Sequence, residues 1–273
     1  MPSTPDASRT AQQVNDSDWM DHAIRAGLVA YGVVHLLLAW LAVQLAFGEK
    51  KESASNSGAL HYLAEQPMGR VLVWLIAVGM LLLVVWMVLE VLFGQRHEED
   101  TTKAWRKRAT AAGKGVVYGV LGWSAVQTAI GQGSSKDGTD STTAKLMDLP
   151  AGQVIVGLVG LGIVGTGGYL VYKGWSEKFT KELDVQGTTG KDGSAFVLFG
   201  KVGYIAKGVA LAIVGGLFAY AAITHEPKKS GGLDQALQTV LEAPFGQVLL
   251  VAIAIGIAGF GLFCFARARH LSR

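Results

Sequence analysis

Cysteine is almost absent from this sequence, because Cys264 is the only one in 273 residues and lies inside an apolar run. A disulfide framework and a Cys/His metal cluster are therefore not expected. Proline is scarce as well, and only 16% of the residues are charged, whereas soluble domains usually carry about a quarter. The formal charge of +3 is too small and too dispersed to favour nucleic acid as a partner.

The motifs that mark common enzyme chemistries are also missing. The chain contains no H-E-x-x-H, no G-x-S-x-G and no C-x-x-C, and its Gly131–Gly133 run lacks the Lys-Ser/Thr ending of a phosphate-binding loop. The sequence therefore predicts a protein that is not an enzyme, with no catalytic residues, no cofactor and no metal.

Long apolar stretches dominate what is present. Half of the residues are apolar and 36 are glycine, a composition that suits helices packed closely in lipid. A helix needs about 20 apolar residues to cross the hydrocarbon core, and period-two alternation is lacking. The sequence predicts an all-α polytopic membrane protein with six transmembrane helices, at about 25–48, 69–94, 108–131, 151–174, 199–223 and 245–267.

Lysine and arginine are distributed unevenly between the two ends of these stretches. The end that holds the N-terminus, the 95–107 and 175–198 loops and the C-terminal tail has about twice as many as the opposite end. Because the loops are short, the positive-inside rule places this end in the cytoplasm. We therefore expect a multi-pass protein of the plasma membrane with both termini cytoplasmic, including a tail over residues 1–24.

An internal repeat runs through the chain. The first copy maps onto the second at an offset of 83 residues, and the second onto the third at 93, then 94 after one extra residue. Matches over so many positions predict three two-helix units at 25–94, 108–175 and 198–268. Examples are Gly32, Gly115 and Gly208, then Pro67, Pro150 and Pro244.

The even number of helices per unit has a geometric consequence. Each unit enters the membrane from the same side, so the repeats are parallel and any symmetry axis lies along the membrane normal. The simplest closed arrangement is a pseudo-threefold ring of hairpins.

Several segments resemble a known family. They are 30–35 (AYGVVH), 65–70 (EQPMGR), 207–209 (KGV), 233–237 (LDQAL) and 242–247 (EAPFGQ). These residues resemble the family known as domain of unknown function 1206, which occurs as three tandem two-helix repeats in bacterial membrane proteins, notably of actinobacteria. The resemblance covers about 25–268 and implies this architecture, but it implies no activity. The middle copy departs most from the pattern of the other two. Its segment 148–152 (DLPAG) has alanine where the first copy has Met and the third has Phe.

An acid-x-Pro-x-Gly element recurs once per repeat and is the first candidate site. Proline suits the first position of a helix, and a carboxylate there gains about 0.3–1 kcal/mol from the helix dipole. The element therefore predicts three helix starts; the alternative is a ring of three carboxylates that attracts a cation. Its carboxylates are Glu65, Asp148 and Glu242, and its Pro/Gly pairs are Pro67 and Gly69, Pro150 and Gly152, and Pro244 and Gly246.

Polar groups inside the apolar stretches form the second candidate site, because intramembrane ionisable residues are functional candidates by default. We expect His35 to be neutral and hydrogen-bonded across helices, with a proton relay as the alternative. Glu90 is expected to pair with Lys114 or Lys207. Gln44 and Gln127 are expected to hydrogen-bond between helices for about 0.6 kcal/mol. Tyr118 occupies the position equivalent to His35.

Two classes of function follow from these patterns. The first is an accessory or scaffold subunit that packs its helix faces against other membrane protein subunits, with the lipid bilayer as its other partner. It fits the scarcity of polar residues at mid-membrane and the short loops. The second is a small transporter, channel or lipid-binding protein with a cavity between the repeats, lined by groups such as His35, Tyr118, Gln44 and Gln127. The sequence favours the first class slightly, because no helix is broken by proline.

Overall fold

The structure is a computed structural model that describes residues 18–49, 52–93, 101–132, 143–144, 146–148, 151–183 and 186–271. The described chain is all-helical, as predicted, apart from one isolated antiparallel bridge between Leu183 and Leu271. The predicted tail over residues 1–24 lies mostly outside the described residues. Helix α1 already begins within it, at Asp18.

The helices of the described residues follow the repeat pattern of a long helix, a short helix and a second long helix. In the second repeat, residues 143–144 and 146–147 are helical at the place of the short helix. The bounds are α1 Asp18–Ala46, α2 Asn56–Ala64, α3 Gly69–Leu92, α4 Thr101–Ala129, α5 Gly152–Trp175, α6 Gly190–Thr224, α7 Leu233–Glu242 and α8 Gly246–Arg269. Short 3₁₀ turns lie at Lys178–Glu182, Gln186–Thr188 and Pro227–Lys229.

Among the described residues, five helices are long and apolar enough to cross a membrane. These spans are Ile24–Ala46, Gly69–Phe93, Gly152–Trp175, Asp192–Thr224 and Gly246–Arg269. The stretch predicted at 108–131 is helical as part of α4, but this helix carries Arg108, Lys114 and many small or polar residues. The composition of α4 therefore does not identify it as a span, and the sixth span stays a prediction.

The long helices pack in a definite order. Helix α3 packs between α1 and α4, α6 packs between α5 and α8, and α8 also packs on α1. The second helix of each repeat thus packs on the first helix of the next, and the third repeat packs back onto the first. Within the described residues α4 and α5, the two helices of the second repeat, share little contact. The resulting order is α4, α3, α1, α8, α6, α5, and closure of this row into a pseudo-threefold ring stays a prediction.

Helices α5 and α6 approach each other at glycines. Gly160, Gly167 and Gly174 are spaced by seven residues, or two turns, and therefore share one face of α5. A Cβ atom on Gly167 would lie 2.6 Å from the Gly208 carbonyl oxygen, and one on Gly160 would lie 2.7 Å from the Ala219 nitrogen. The contact therefore requires glycine, as expected where backbones approach closely in lipid.

The second long helix of each repeat begins after the same tight turn. Met68, Ala151 and Phe245 precede the helices in the left-handed region, with φ of 60°, 61° and 59°. Hydrogen bonds from Gly69 N to Gln66 O (2.7 Å) and from Gly246 N to Ala243 O (2.8 Å) close the turns. This is the geometry of a type II turn with proline at its second position.

The turn corrects the expected position of proline. The helices begin at Gly69, Gly152 and Gly246, so Pro67 and Pro244 lie two residues earlier, because the turn uses the fixed φ of proline. Pro150 lies outside the described residues. A Cβ atom on Gly69 would lie 1.7 Å from the Leu63 carbonyl oxygen, and the corresponding distances are 1.9 Å at Gly152 and 2.2 Å at Gly246. The repeated glycine is therefore a requirement of close backbone packing.

We call the end of the bundle that carries α2 and α7 the hairpin end, and the opposite end, where α1 begins and α8 finishes, the terminal end. Helix α2 is capped by Ser55, whose Oγ accepts from Gly58 N at 3.1 Å. Asp234 of α7 accepts from Ala54 N at 2.7 Å, which ties the third repeat to the first. Apolar side chains fill this end of the bundle: Leu41, Ala42, Ala59, Leu237 and Leu250 are all at most 2% exposed.

Candidate functional site

A cluster of polar side chains lies between α1 and α6. The Nζ of Lys207 lies 2.5 Å from the Oη of Tyr31 and 3.2 Å from the Nε2 of His35. The Nδ1 of His35 lies 2.8 Å from the carbonyl oxygen of Tyr31, one turn earlier on α1. His35 therefore donates to this carbonyl through Nδ1 and accepts from the Lys207 ammonium through Nε2, which is an interhelical hydrogen bond of the kind expected for it. We call Tyr31, His35 and Lys207 the central cluster.

Aromatic rings surround the central cluster. The Nζ of Lys207 lies 4.1 Å from the ring centroid of Phe260 and 4.7 Å from that of Tyr31. A cation over a ring face is attracted by the ring quadrupole. The ring of Tyr118 meets that of Tyr31 edge-on at 5.4 Å. Tyr118, predicted as a candidate from its repeat position, thus lies beside the cluster in a second repeat.

The central cluster lies deep within its helices. His35 lies about 16 Å along α1 from Ile24, the first residue of the span, at roughly 1.5 Å per residue. Tyr31, His35 and Tyr118 are 7%, 4% and 7% exposed. Lys207 makes no ion pair among the described residues, and its hydrogen bonds go to tyrosine and histidine. The lysine side chain is therefore held by neutral groups at the middle of the bundle rather than extended toward the interface.

A second cluster lies nearer the terminal end, around Glu182. Lys173, at the end of α5, approaches its carboxylate at 2.6 Å, and the Nη1 of Arg267, at the end of α8, approaches it at 3.1 Å. The hydroxyl of Tyr204 donates to Glu182 at 3.2 Å and accepts from Lys173 at 3.0 Å. These groups come from two repeats and the loop between them. We call Lys173, Glu182, Tyr204 and Arg267 the terminal cluster.

The backbone around Glu182 explains how a loop residue reaches the interior. Glu182 ends the 3₁₀ turn Lys178–Glu182, which follows α5 after Glu177 in the left-handed region (φ 54°). Phe179 in this turn is fully buried and stacks on Tyr204 with ring centroids 5.3 Å apart. Leu183 then bridges to Leu271 beyond α8. The segment Lys178–Leu183 is therefore folded against the terminal end of the bundle.

The charges around Glu182 favour its ionised form. Burial alone would raise the pKa of Glu182, but Arg267, Lys173 and Lys114 outweigh it and hold that pKa at about 2. Its side chain is 19% exposed, and those of Lys173 and Arg267 are 12% and 15% exposed. A carboxylate and two direct cations thus form one network of low solvent exposure, and Lys114 adds a third positive charge at longer range.

Lys207, one of the two expected partners of Glu90, hydrogen-bonds to Tyr31 and His35. Lys114, the other, is exposed, and its pairing with Glu90 stays a prediction. The charges of both Glu182 and Glu90 nevertheless act on Lys114. Gln44 is buried, and its Oε1 has no hydrogen-bond partner among the described residues. The expected hydrogen bond between Gln44 and Gln127, which is partly buried, stays a prediction.

The repeated carboxylates lie away from both clusters. Glu65, Asp148 and Glu242 are exposed, and Glu65 and Glu242 lie at the C-terminal ends of α2 and α7 rather than at the start of the next helix. Because the dipole of a helix disfavours negative charge at its C-terminus, the predicted capping role does not explain them. Among the described residues no three His, Cys, Asp or Glu side chains are grouped to hold a metal ion.

The sequence patterns missed the two residues that organise the clusters. Tyr31 occupies the repeat position of Lys114 and Lys207, but its residue type gives no sign that it accepts the hydrogen bond of Lys207. Glu182 lies in a loop, where an acidic residue carries no signal by its type or spacing. The repeat contained a usable signal, because Glu90, Lys173 and Arg267 occupy equivalent positions, and two of these positions converge on Glu182.

Comparison with known proteins agrees with the repeat. Three tandem stretches, 26–94, 109–177 and 202–270, match the family described as Domain of Unknown Function (DUF1206). The Uncharacterized protein YxxB of Bacillus subtilis (strain 168) is 28% identical over 249 residues, which cover 90% of this chain and 89% of that protein. No solved structure matches the chain. The internal repeat and the family resemblance are thereby confirmed, and the chain belongs to the DUF1206 family.

Proposed function

We propose that this chain is a six-helix membrane protein that binds and carries a small solute through a polar centre between its repeats. The observation that carries the proposal is the central cluster, in which α1 of the first repeat and α6 of the third place Tyr31, His35 and Lys207 in direct contact. Burying polar groups inside a membrane costs free energy, so such groups are functional candidates by default. A transporter requires such a centre, whereas a scaffold subunit does not.

The arrangement of the repeats supports a central site. Tyr31, Lys114 and Lys207 are repeat-equivalent, as are His35 and Tyr118. The first set includes the Tyr31–Lys207 hydrogen bond, and Tyr118 contacts Tyr31 through their rings. Equivalent positions converge on one point when repeats surround an axis along the membrane normal. We therefore propose a pseudo-threefold ring in which α4 is the sixth span, kept in the membrane by its contact with α3.

The same proposal includes the orientation. The excess of Lys and Arg at the terminal end supports a cytoplasmic location of both termini in the plasma membrane. Fusion of green fluorescent protein or alkaline phosphatase to the C-terminus distinguishes a cytoplasmic C-terminus from one on the opposite side of the membrane. Six spans with cytoplasmic termini predict a fluorescent and phosphatase-inactive fusion, whereas five spans with a cytoplasmic N-terminus predict the opposite result.

Transport is tested by solid-supported membrane electrophysiology on proteoliposomes. Concentration jumps of phosphate, succinate, glutamate and ammonium are expected to give a transient current for at least one solute. Substitution Lys207→Met, which keeps length and removes charge, is expected to abolish it. The matched control is Lys201→Met on the same helix, since Lys201 pairs with the partly exposed Glu177 at 2.9 Å. Currents that equal those of empty liposomes, or that survive Lys207→Met, contradict the proposal.

The accessory or scaffold subunit remains the second candidate. Its support is the large apolar surface of α4 and α5, where Trp105, Trp123, Leu158, Leu161 and Trp175 are 62–74% exposed. Lipid covers such faces equally well, so they do not by themselves require a protein partner. Purification of the tagged protein in mild detergent tests this candidate, because a scaffold subunit is expected to be recovered in stoichiometric amount with a larger complex.

A further inference from the structure

The terminal cluster contains more positive than negative charge. The charges that act on Glu182 are those of Arg267, Lys173 and Lys114, and all three are cationic. The Nε of Arg267 is buried and has no hydrogen-bond partner among the described residues. One donor of the guanidinium is therefore left unused where a planar oxyanion would engage it, and arginine suits such two-point recognition.

The carboxylate that Lys173 and Arg267 contact belongs to a loop and not to a transmembrane helix. Glu182 is carried by the segment Lys178–Leu183, whereas Lys114, Lys173 and Arg267 are carried by α4, α5 and α8. Its two oxygens occupy the positions that an oxyanion would take: one faces Lys173, and the other faces Arg267 and the Tyr204 hydroxyl. Helices from two repeats thus present donors to a group that the chain supplies from outside the span.

The central cluster lies beyond the terminal cluster along α6, the helix that both clusters share. Tyr204 and Lys207 are separated by about one turn on α6, and both contact the ring of Phe260. Lys207 has only neutral hydrogen-bond partners. A negatively charged ligand that passed the terminal cluster would therefore meet a second cation and no fixed anion in contact with it among the described residues.

We propose that Lys173 and Arg267 bind a small oxyanion, a carboxylate or a phosphate, with Lys114 as a more distant positive charge, and that Glu182 is a tethered competitor for this site. The inference rests on the proposed function in treating the polar centre as a ligand site, and it names the class of solute. Displacement of Glu182 exchanges one anion for another, so the charge balance of the cluster is kept. The segment Lys178–Leu183 then acts as a plug at the terminal end.

Binding is measured on the full-length protein in detergent, from the shift of its thermal unfolding temperature with sodium phosphate or succinate. Sodium chloride of equal ionic strength is the reference. A ligand that binds the folded protein raises this temperature with concentration. Glu182→Gln is expected to bind the oxyanion about tenfold or more tightly than the wild type, because a tethered competitor acts at millimolar effective concentration. Adding Arg267→Gln to Glu182→Gln is expected to abolish the shift.

The control is Glu177→Gln, since Glu177 belongs to the same loop but pairs with Lys201 outside the cluster. It is expected to keep the wild-type affinity. If Glu182→Gln does not purify as a folded protein, Glu182→Asp replaces it, because the shorter side chain withdraws the carboxylate and is expected to tighten binding less. Equal affinity of the Glu182 variant and the wild type overturns the proposal, and so does the absence of a shift in every variant.

A lipid headgroup offers the same phosphate chemistry, so the assay is repeated in nanodiscs of phosphatidylcholine with and without phosphatidylglycerol. Stabilisation by phosphatidylglycerol that Arg267→Gln removes would identify the source as lipid, and stabilisation by dissolved phosphate or succinate alone would identify a soluble oxyanion. The results that contradict the transport proposal differ from those that contradict this inference. Oxyanion binding without current leaves this inference standing, whereas current for ammonium alone, without oxyanion binding, leaves only the transport proposal.

Discussion

At the hairpin end, Gly69 and Gly246 bring helix starts against the carbonyl groups of the preceding amphipathic helices, whereas at the terminal end Glu182, Lys173 and Arg267 bring opposite charges together. The first contact depends on backbone shape and apolar burial, which are insensitive to pH. The second depends on charge, and charge is what a ligand or a proton can change. The comparison indicates that the hairpin end is structural and that the terminal end is where this protein can respond.

The largest effect is expected at the hairpin end, from Gly69→Ala. The new Cβ would lie 1.7 Å from the Leu63 carbonyl oxygen, so the turn must break, and the expected loss exceeds about 4 kcal/mol, a range reached only by a few mechanisms. Thermal unfolding in detergent measures it. The control is Gly162→Ala, where a Cβ meets no atom within 4 Å; equal stability of the two variants would show that the hairpin end is not held by backbone shape.

The second-largest effect is expected from Glu182→Gln at the terminal end, and its size depends on pH. Because the pKa of Glu182 is lowered from 4.5 to about 2, its contribution is fully present above pH 4.5 and is lost as the pH falls toward 2. The contribution is on the order of 3 kcal/mol. Unfolding of wild type and Glu182→Gln is compared from pH 6 to pH 2. The difference in stability between the two proteins is expected to disappear at low pH. A difference that stays constant with pH would contradict a stabilising role of the ionised Glu182 carboxylate.

A smaller effect is expected from Tyr31→Phe in the central cluster. The change removes the hydroxyl that accepts from Lys207 and keeps the ring against Phe260 and Tyr118. Interhelical hydrogen bonds in membranes average about 0.6 kcal/mol, with a maximum near 1.7, so a loss of about 1 kcal/mol is expected. Thermal unfolding measures it, and the change Tyr62→Phe, on a partly buried residue of α2, provides the reference.

The smallest effect is expected from Glu177→Gln. Its ion pair with Lys201 is partly exposed, with side chains 45% and 37% accessible. Exposed pairs contribute about 0–1 kcal/mol and are screened by salt. Unfolding at low and high salt should show a change below about 0.5 kcal/mol that vanishes in salt. A loss as large as that of Glu182→Gln would mean that the whole loop, and not the buried network, stabilises the terminal end.

The sequence predicts the helices, the three repeats and the five apolar helices that are long enough to cross a membrane. Apolar stretch length, helix propensity and the repeat offset are properties of neighbouring residues along the chain, so they are visible without a fold. The role of the repeated Pro-x-Gly was only half visible: its recurrence marked each helix start, but the left-handed residue before the glycine placed that start two residues later than proline suggested.

The contacts between polar groups, in contrast, follow from the packing of whole helices. Tyr31 and Lys207 are 176 residues apart along the chain, and their contact depends on the packing of α8 between α1 and α6, which no local spacing encodes. The same packing gives Glu182, a loop residue, two direct cations and a third at longer range. Helix formation is decided by nearby residues, whereas pairing of buried polar groups is decided by where whole helices lie, because only there does desolvation require each group to find a partner.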